Sequence, residues 1–216
     1  MRDDRIYVFG GAVVAGGLAG ARLLHVVDNW PLYAVRPETI LAFWDGGTAV
    51  TGAFAGSSLA GLLAARALRL PLGFMFDISV IGIALGLAIG RLGDVINGEH
   101  HAIACDGLPW CVRYTHPATL GQDEPAHPVA AYDVLWDLVI LAVTFVYWRR
   151  VRGRSPEGRV YWLHGALYGG GRALTQVLRV DPAVLGVQTA QLIGVTELVL
   201  GLVMLVVLTR AERKVA

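Results

Sequence analysis

The sequence predicts an all-α protein, a polytopic membrane bundle of about six transmembrane helices forming a single domain over residues 1–216. Three observations predict it. Hydrophobic residues make up 55% of the chain and charged residues only 16%, against roughly 25% charged in a soluble domain. Mean hydropathy is +0.56. The apolar excess falls in blocks of about 20 residues, the length a helix needs to cross a hydrocarbon core about 30 Å thick. Inside lipid every backbone N–H has to be paired within its own segment, so these blocks read as helices.

The spans are placed at 6–27, 47–68, 74–90, 129–148, 160–178 and 187–209. The first, with Gly10, Gly11, Gly16, Gly17 and Gly20, is too long and glycine-rich for a cleaved signal peptide and is read as retained. The second is rich in Gly, Ala and Ser, which lets neighbouring helices approach closely. The third is short and is expected to run on past Arg91. No internal repeat or low-complexity linker interrupts the chain.

Orientation follows from the basic residues of the loops. With the N-terminus inside, twelve of the 18 Lys and Arg residues fall in cytoplasmic segments and five outside. Both termini are therefore expected in the cytoplasm, and the long loop 91–128 outside. Cys105 and Cys111 lie in that loop, where a disulfide can persist; a staple and two free thiols are equally open readings, because sequence carries no geometry. A net charge of +1 gives no general case for a nucleic-acid partner.

Charges at membrane depth are costly and suggest function. Arg22, Asp77, Arg91, Arg172 and Glu197 stand out. The string Gly90-Arg91-Leu92-Gly93-Asp94-Val95-Ile96-Asn97-Gly98-Glu99-His100-His101 lies where the third span meets the outer face. Arg91 and Asp94 are three apart and share a helix face, and an arginine fork suits phosphate. The plainer reading is an interfacial anchor paired to Asp94 or Glu99. In Gly171-Arg172 through Arg179-Val180-Asp181 the two arginines are seven apart and are expected on one helix face. They suit an anionic lipid headgroup, or else anchor the helix with Asp181 as partner to Arg179. His127-Pro128 through Tyr132-Asp133 leads into the fourth span; Asp133 and Asp137 read there as solvated or capping carboxylates.

These strings, in this order and spacing, resemble the prolipoprotein diacylglyceryl transferase family. Residues 90–99 match its central motif, Gly-Arg-hydrophobic-Gly-Asn/Asp-x-hydrophobic-Asn-x-Glu, and residues 127–133 resemble its His-Pro-x-x-x-Tyr-acid motif. Gly171 to Arg179 is similar, less closely, to its Gly-Arg-aromatic-x-x-Glu-x-x-Arg motif. Gly20-Ala21-Arg22-Leu23 resembles a Gly-x-Arg string on the family's second helix, and Gln188 to Leu192 the stretch before its last helix.

The resemblance implies transfer of a diacylglyceryl group from phosphatidylglycerol to the lipobox cysteine thiol of a preprolipoprotein, the first step of bacterial lipoprotein maturation. It implies a plasma-membrane enzyme with its site on the extracytoplasmic side and no metal or cofactor. Arg91, Asn97, Glu99 and Arg172 would be catalytic; Arg91, Gly93, Asp94, Arg172, Arg179 and Tyr132 would bind substrate. The chain departs from the family in three residues: Thr51 stands where a His-Gly-Gly motif has its histidine, Gln176 where the third motif has glutamate, and Asp94 in place of asparagine. On this resemblance it is expected to begin at the family's second helix. Candidate replacement bases are His100, His101, His116, His127 and Glu99. The competing readings are a non-catalytic relative that binds anionic phospholipid, and a small transporter using Arg22, Asp77 and Glu197.

Overall fold

The computed structural model describes residues 4–105, 107–153, 156–181, 183–184 and 187–215. The side chain of Thr51, and Arg2, Arg154 and the side chains of Arg213 and Lys214 from the basic-residue count, lie outside the described part. Seven α-helices are present among the described residues: α1 Arg5–Asp28, α2 Trp30–Val35, α3 Val50–Ala67, α4 Leu72–Asn97, α5 Val129–Val151, α6 Arg159–Thr175 and α7 Thr189–Val215. Short 3-10 turns and a two-stranded hairpin, Ala183–Val184 with Val187–Gln188, complete the described structure.

Each expected span is a helix. Four of them, α1, α4, α5 and α7, are long and apolar enough to cross a membrane by length and composition. Helices α3 and α6, of 18 and 17 residues, occupy the second and fifth expected positions. Large apolar side chains along α7, including Leu200, Leu202, Val203 and Val207, are about half exposed; facing hydrocarbon, such a surface needs no protein cover. The protein is a multi-pass helical membrane protein.

The chain forms two compact units, Met1–Met75 and Phe76–Ala216. In the first, α1 lies along α3 with glycines at the seam. A Cβ on Gly20 would strike the Gly52 carbonyl, and one on Gly56 the Gly16 carbonyl. Gly16 and Gly20, like Gly52 and Gly56, are four apart, so each pair forms one small-residue row and the two backbones touch. Arg22 then organises the following loop. Nε donates to the Ile40 carbonyl at 2.8 Å, Nη1 to those of Gly46 and of Gly47 at 2.8 Å, and Nη2 to those of Thr39 at 2.6 Å and Ala42 at 3.0 Å. All five donors of its guanidinium are used.

In the second unit, Asp77 of α4 caps the start of α6. Its carboxylate accepts the backbone N–H groups of Gly158, Val160 and Tyr161 at 2.8, 2.9 and 3.0 Å. These are orphan donors at the positive end of the helix dipole. The charges at Arg22 and Asp77 therefore have structural partners, which removes two of the three residues on which a transport pathway was built. At its other end α4 runs on to Asn97, as expected, and stops at Gly98, whose φ is +73°. The N–H of Glu99 returns 3.0 Å to the Asp94 carbonyl, closing the helix with a left-handed glycine cap.

Candidate functional site

Three arginines converge on one carboxylate within the second unit. Arg91 Nε and Arg172 Nη1 each lie 3.9 Å from Asp133 Oδ2, and Arg179 Nη1 lies 3.6 Å from it. Asp133 is buried near the start of α5, not solvated as its place at a span entry suggested. It holds one face of the cluster by charge alone, because these separations exceed hydrogen-bond length. Arg172 Nη1 and Arg179 Nη1 are buried with no hydrogen-bond partner among the described residues. The site thus aims unused N–H donors at a common point.

The elements that bring these groups together differ. Arg91 sits in the last turns of α4, where its ion pair with Asp94 at 2.8 Å matches the expected i,i+3 pairing. Arg172 sits in the last turn of α6, beside Gly171, where any Cβ would run into the Trp136 indole. That indole donates to the Leu167 carbonyl at 3.0 Å and fixes α5 against α6. The expectation that Arg172 and Arg179 share one helix face is corrected. Helix α6 ends at Thr175, Gln176–Leu178 form a tighter 3-10 turn, and Arg179 is in extended backbone. The tightened turn changes the angular spacing, and the chain leaving it carries Arg179 back to the same carboxylate.

Arg179 is anchored from behind. Its Nε donates to Asp181 Oδ2 at 3.1 Å, as the pairing with Asp181 anticipated. Gln176, fully buried, donates to the same oxygen at 2.6 Å. Gln188 Nε2 donates to the Arg179 carbonyl at 2.9 Å. A glutamine at position 176 can supply that N–H where an ionised glutamate could not. Burial works against the Asp181 charge, but the Gln176 hydrogen bond and the Arg179 charge outweigh it and hold the carboxyl below its ordinary range. Burial and the neighbouring Arg172 lower the Arg179 pKa.

His100 ties the cluster to the loop. Its Nδ1 is bonded to Arg179 Nη2, while its Nε2 lies 3.2 Å from Asp94 Oδ2 and 3.0 Å from Arg91 Nη1. An arginine can only donate, so Nδ1 accepts from Arg179, while Nε2 faces both the Asp94 carboxylate and an Arg91 donor. Burial first, then Arg179 and Arg91, push the imidazole pKa down against the pull of Asp94. Its backbone φ is +70°, an uncommon left-handed conformation for a residue with a side chain.

The remaining expected residues take other places. Asn97 is exposed and donates to Glu99 Oε1 at 3.2 Å; among the described residues neither is hydrogen-bonded to the arginines. A ligand atom of Glu99 lies within 4.8 Å of those of Asp94 and His100. Those three could in principle hold a cation, but Arg91 and Arg179 already sit on two of them. Gly93 borders open space: a Cβ there would meet nothing within 4 Å. Tyr132 pins the loop between α4 and α5, its hydroxyl accepting the Trp110 indole N–H at 2.9 Å and lying 3.2 Å from His127 Nδ1. His101 bonds the Leu120 carbonyl at 2.8 Å, and His116 caps its own turn at the Ala118 N–H. Of the five candidate bases, His100 alone is bonded to the arginines among the described residues.

The loop itself is tied down. Cys105 and Cys111 form a disulfide, resolving the open alternative. Ala102 pairs with Arg179, and both Ala104 and Val112 with Ala126. Tyr114 donates to the Val95 carbonyl at 2.6 Å.

The family described as prolipoprotein diacylglyceryl transferase matches residues 2–207. A phosphatidylglycerol–prolipoprotein diacylglyceryl transferase of Trichormus variabilis is 34% identical over 197 residues, covering 88% of this chain and 70% of the relative. The enzyme of that name from Synechococcus elongatus is 35% identical over 201 residues, covering 90% and 69%. That from Clostridioides difficile is 30% identical over 214 residues, covering 99% and 82%. With a match over nearly its whole length, this chain belongs to the prolipoprotein diacylglyceryl transferase family.

Proposed function

We propose that this protein transfers the diacylglyceryl group of phosphatidylglycerol to the lipobox cysteine thiol of a preprolipoprotein. The observation that carries the reading is the convergence of Arg91, Arg172 and Arg179 on Asp133, with Arg172 and Arg179 each keeping a buried nitrogen that has no hydrogen-bond partner among the described residues. A phosphodiester offers the acceptor oxygens these donors need. The relatives' names, which specify phosphatidylglycerol and a prolipoprotein, support the same substrates.

In this reaction the cysteine sulfur bonds to the glyceryl carbon of the lipid and the carbon–oxygen bond to phosphate breaks. Its electron pair leaves on the phosphate as glycerol 1-phosphate, and the thiol proton passes to a base. Arg91 and Arg172 hold the phosphate and stabilise the charge that gathers on it; Arg179 supports them. Asn97 and Glu99, on the turn beyond Arg91, orient the headgroup or the thiol, with Gly93, Asp94 and Tyr132 shaping the approach. Both termini face the cytoplasm and the site faces outward, a placement the Cys105–Cys111 disulfide supports, since such bonds persist in oxidising compartments.

The test is product balance. Purified protein with phosphatidylglycerol and a lipobox peptide is expected to release one glycerol 1-phosphate per thioether formed. Lipid binding without release would instead favour the non-catalytic relative, a reading motivated by Thr51 and Gln176 at positions where the family has histidine and glutamate.

A further inference from the structure

Beside the arginine cluster is a narrow cleft lined by Arg91, Asp133, Trp136, Asp137, Tyr168 and Arg172. Asp137 lies one helical turn beyond Asp133 on α5 and is 4% exposed. Its Oδ2 is buried with no hydrogen-bond partner among the described residues. Arg172, whose Nη1 likewise has no hydrogen-bond partner among the described residues, lines the same cleft. The two aspartates therefore differ in their surroundings. Asp133 faces three guanidiniums within 4 Å, whereas no arginine, lysine or histidine nitrogen lies within 4 Å of Asp137 among the described residues.

A buried carboxylate oxygen without a donor is costly, and an ionised carboxylate can only accept. Its natural complement is a hydroxyl delivered by whatever the neighbouring arginines hold. The cleft is narrow enough to suit one such group rather than a bulky one.

We propose that Asp137 is a specificity subsite, accepting a hydrogen bond from a hydroxyl of the headgroup alcohol while Arg91 and Arg172 hold the adjoining phosphate. The ligand class is an anionic phosphodiester lipid whose headgroup is a polyol. This deepens the proposed function and rests on its placing the phosphate at the arginines. In the transfer reaction the hydroxyl belongs to the leaving glycerol phosphate, so Asp137 reads the part of the lipid that departs and leaves the transferred acyl chains unread.

The experiment measures equilibrium binding of phosphatidylglycerol and phosphatidylmethanol to the whole protein in nanodiscs of a zwitterionic lipid. Both probes carry the same phosphodiester charge, and only the first has headgroup hydroxyls. The expected preference for phosphatidylglycerol is about 10-fold or more, that of one hydrogen bond to a charged acceptor. In Asp137→Ala the preference collapses toward 1; in Asp137→Asn, which keeps a neutral acceptor, it falls to an intermediate value. Equal binding of the two lipids by the unmodified protein overturns the proposal, and so does a preference that either variant leaves intact. Should Asp137→Ala fail to fold, the unmodified protein and Asp137→Asn still decide. Soluble glycerol 1-phosphate is added as competitor, and binding tighter than the lipid would assign the subsite to a free ester and overturn the lipid reading. Because binding is read without turnover, a lipid preference without transfer sinks only the transferase reading, and transfer without a preference sinks only the subsite.

Discussion

Removing the charge of Asp133 tests the geometry of the site most severely. Asp133→Asn keeps the size of the side chain and takes away its charge. Each arginine nitrogen lies 3.6–3.9 Å from Asp133 Oδ2. At that separation the gross attraction is about 4 kcal/mol per pair for an effective dielectric constant of roughly 20. The side chains are 3–19% exposed, so solvent screens little of it. Desolvation offsets much of the attraction when the site forms, yet deleting one partner of a buried set leaves the others uncompensated. The expected loss is about 3–5 kcal/mol of stability, read by denaturant unfolding in bicelles. A double-mutant cycle sharpens the test. Arg172→Gln in the Asp133→Asn background should cost less than in the unmodified protein, because it removes one of three guanidiniums left facing each other. A loss under about 0.5 kcal/mol for Asp133→Asn, the range of ordinary surface changes, would refute the argument that this carboxylate holds the cluster.

Three further outcomes follow from the same physics. Asp77→Ala leaves three backbone N–H groups at the start of α6 without their acceptor and should cost about 3 kcal/mol, with Asp77→Asn milder; unfolding in bicelles measures both. Gly56→Val should unseat α1 from α3, because its Cβ meets the Gly16 backbone, whereas Gly10→Ala, whose Cβ meets nothing within 4 Å, should be tolerated; the difference in apparent melting temperature is the readout. His100 has a folded pKa held below its ordinary value by burial, Arg179 and Arg91. Its contribution to stability is therefore present above the ordinary pKa of about 6.5 and is lost as pH falls through the lowered one. His100→Gln should flatten that acid limb in a series of unfolding curves, and an unchanged limb would count against a lowered imidazole pKa.

The sequence disclosed most of the helices and part of the site. The helices were legible because lipid imposes a length and a continuous apolar pattern, and the span positions differ from the observed helices mainly at their ends. The extension of α4 to Asn97 depends on the cap at Gly98, a local signal easily lost beside an apolar run. Arg91, Asp94, Arg172 and Arg179 were legible because charged side chains near a membrane span are conspicuous. The carboxylate that the three arginines share was not. Asp133 and Asp137 stand near a span entry, where carboxylates are ordinarily solvated, yet both are buried in the fold, where Arg91 of α4 and Arg172 of α6 line the same cleft. The i,i+4 spacing of two acids on an otherwise apolar helix was the available signal. His100 looked like one loop histidine among several, and the folded loop alone distinguishes it. Arg22 and Asp77 carried the same warning of charge at membrane depth, yet their structural work is to satisfy backbone carbonyls and backbone N–H groups.

The most direct test of the central claim is mass spectrometry of a lipobox peptide incubated with phosphatidylglycerol and either the unmodified protein or Arg91→Ala. The account predicts a diacylglyceryl mass gain on the peptide cysteine with the unmodified protein, and a loss of that gain of at least about 100-fold when the phosphate-holding guanidinium is removed. Full transfer by Arg91→Ala, or no transfer by an unmodified protein that is folded and binds the lipid, would contradict it.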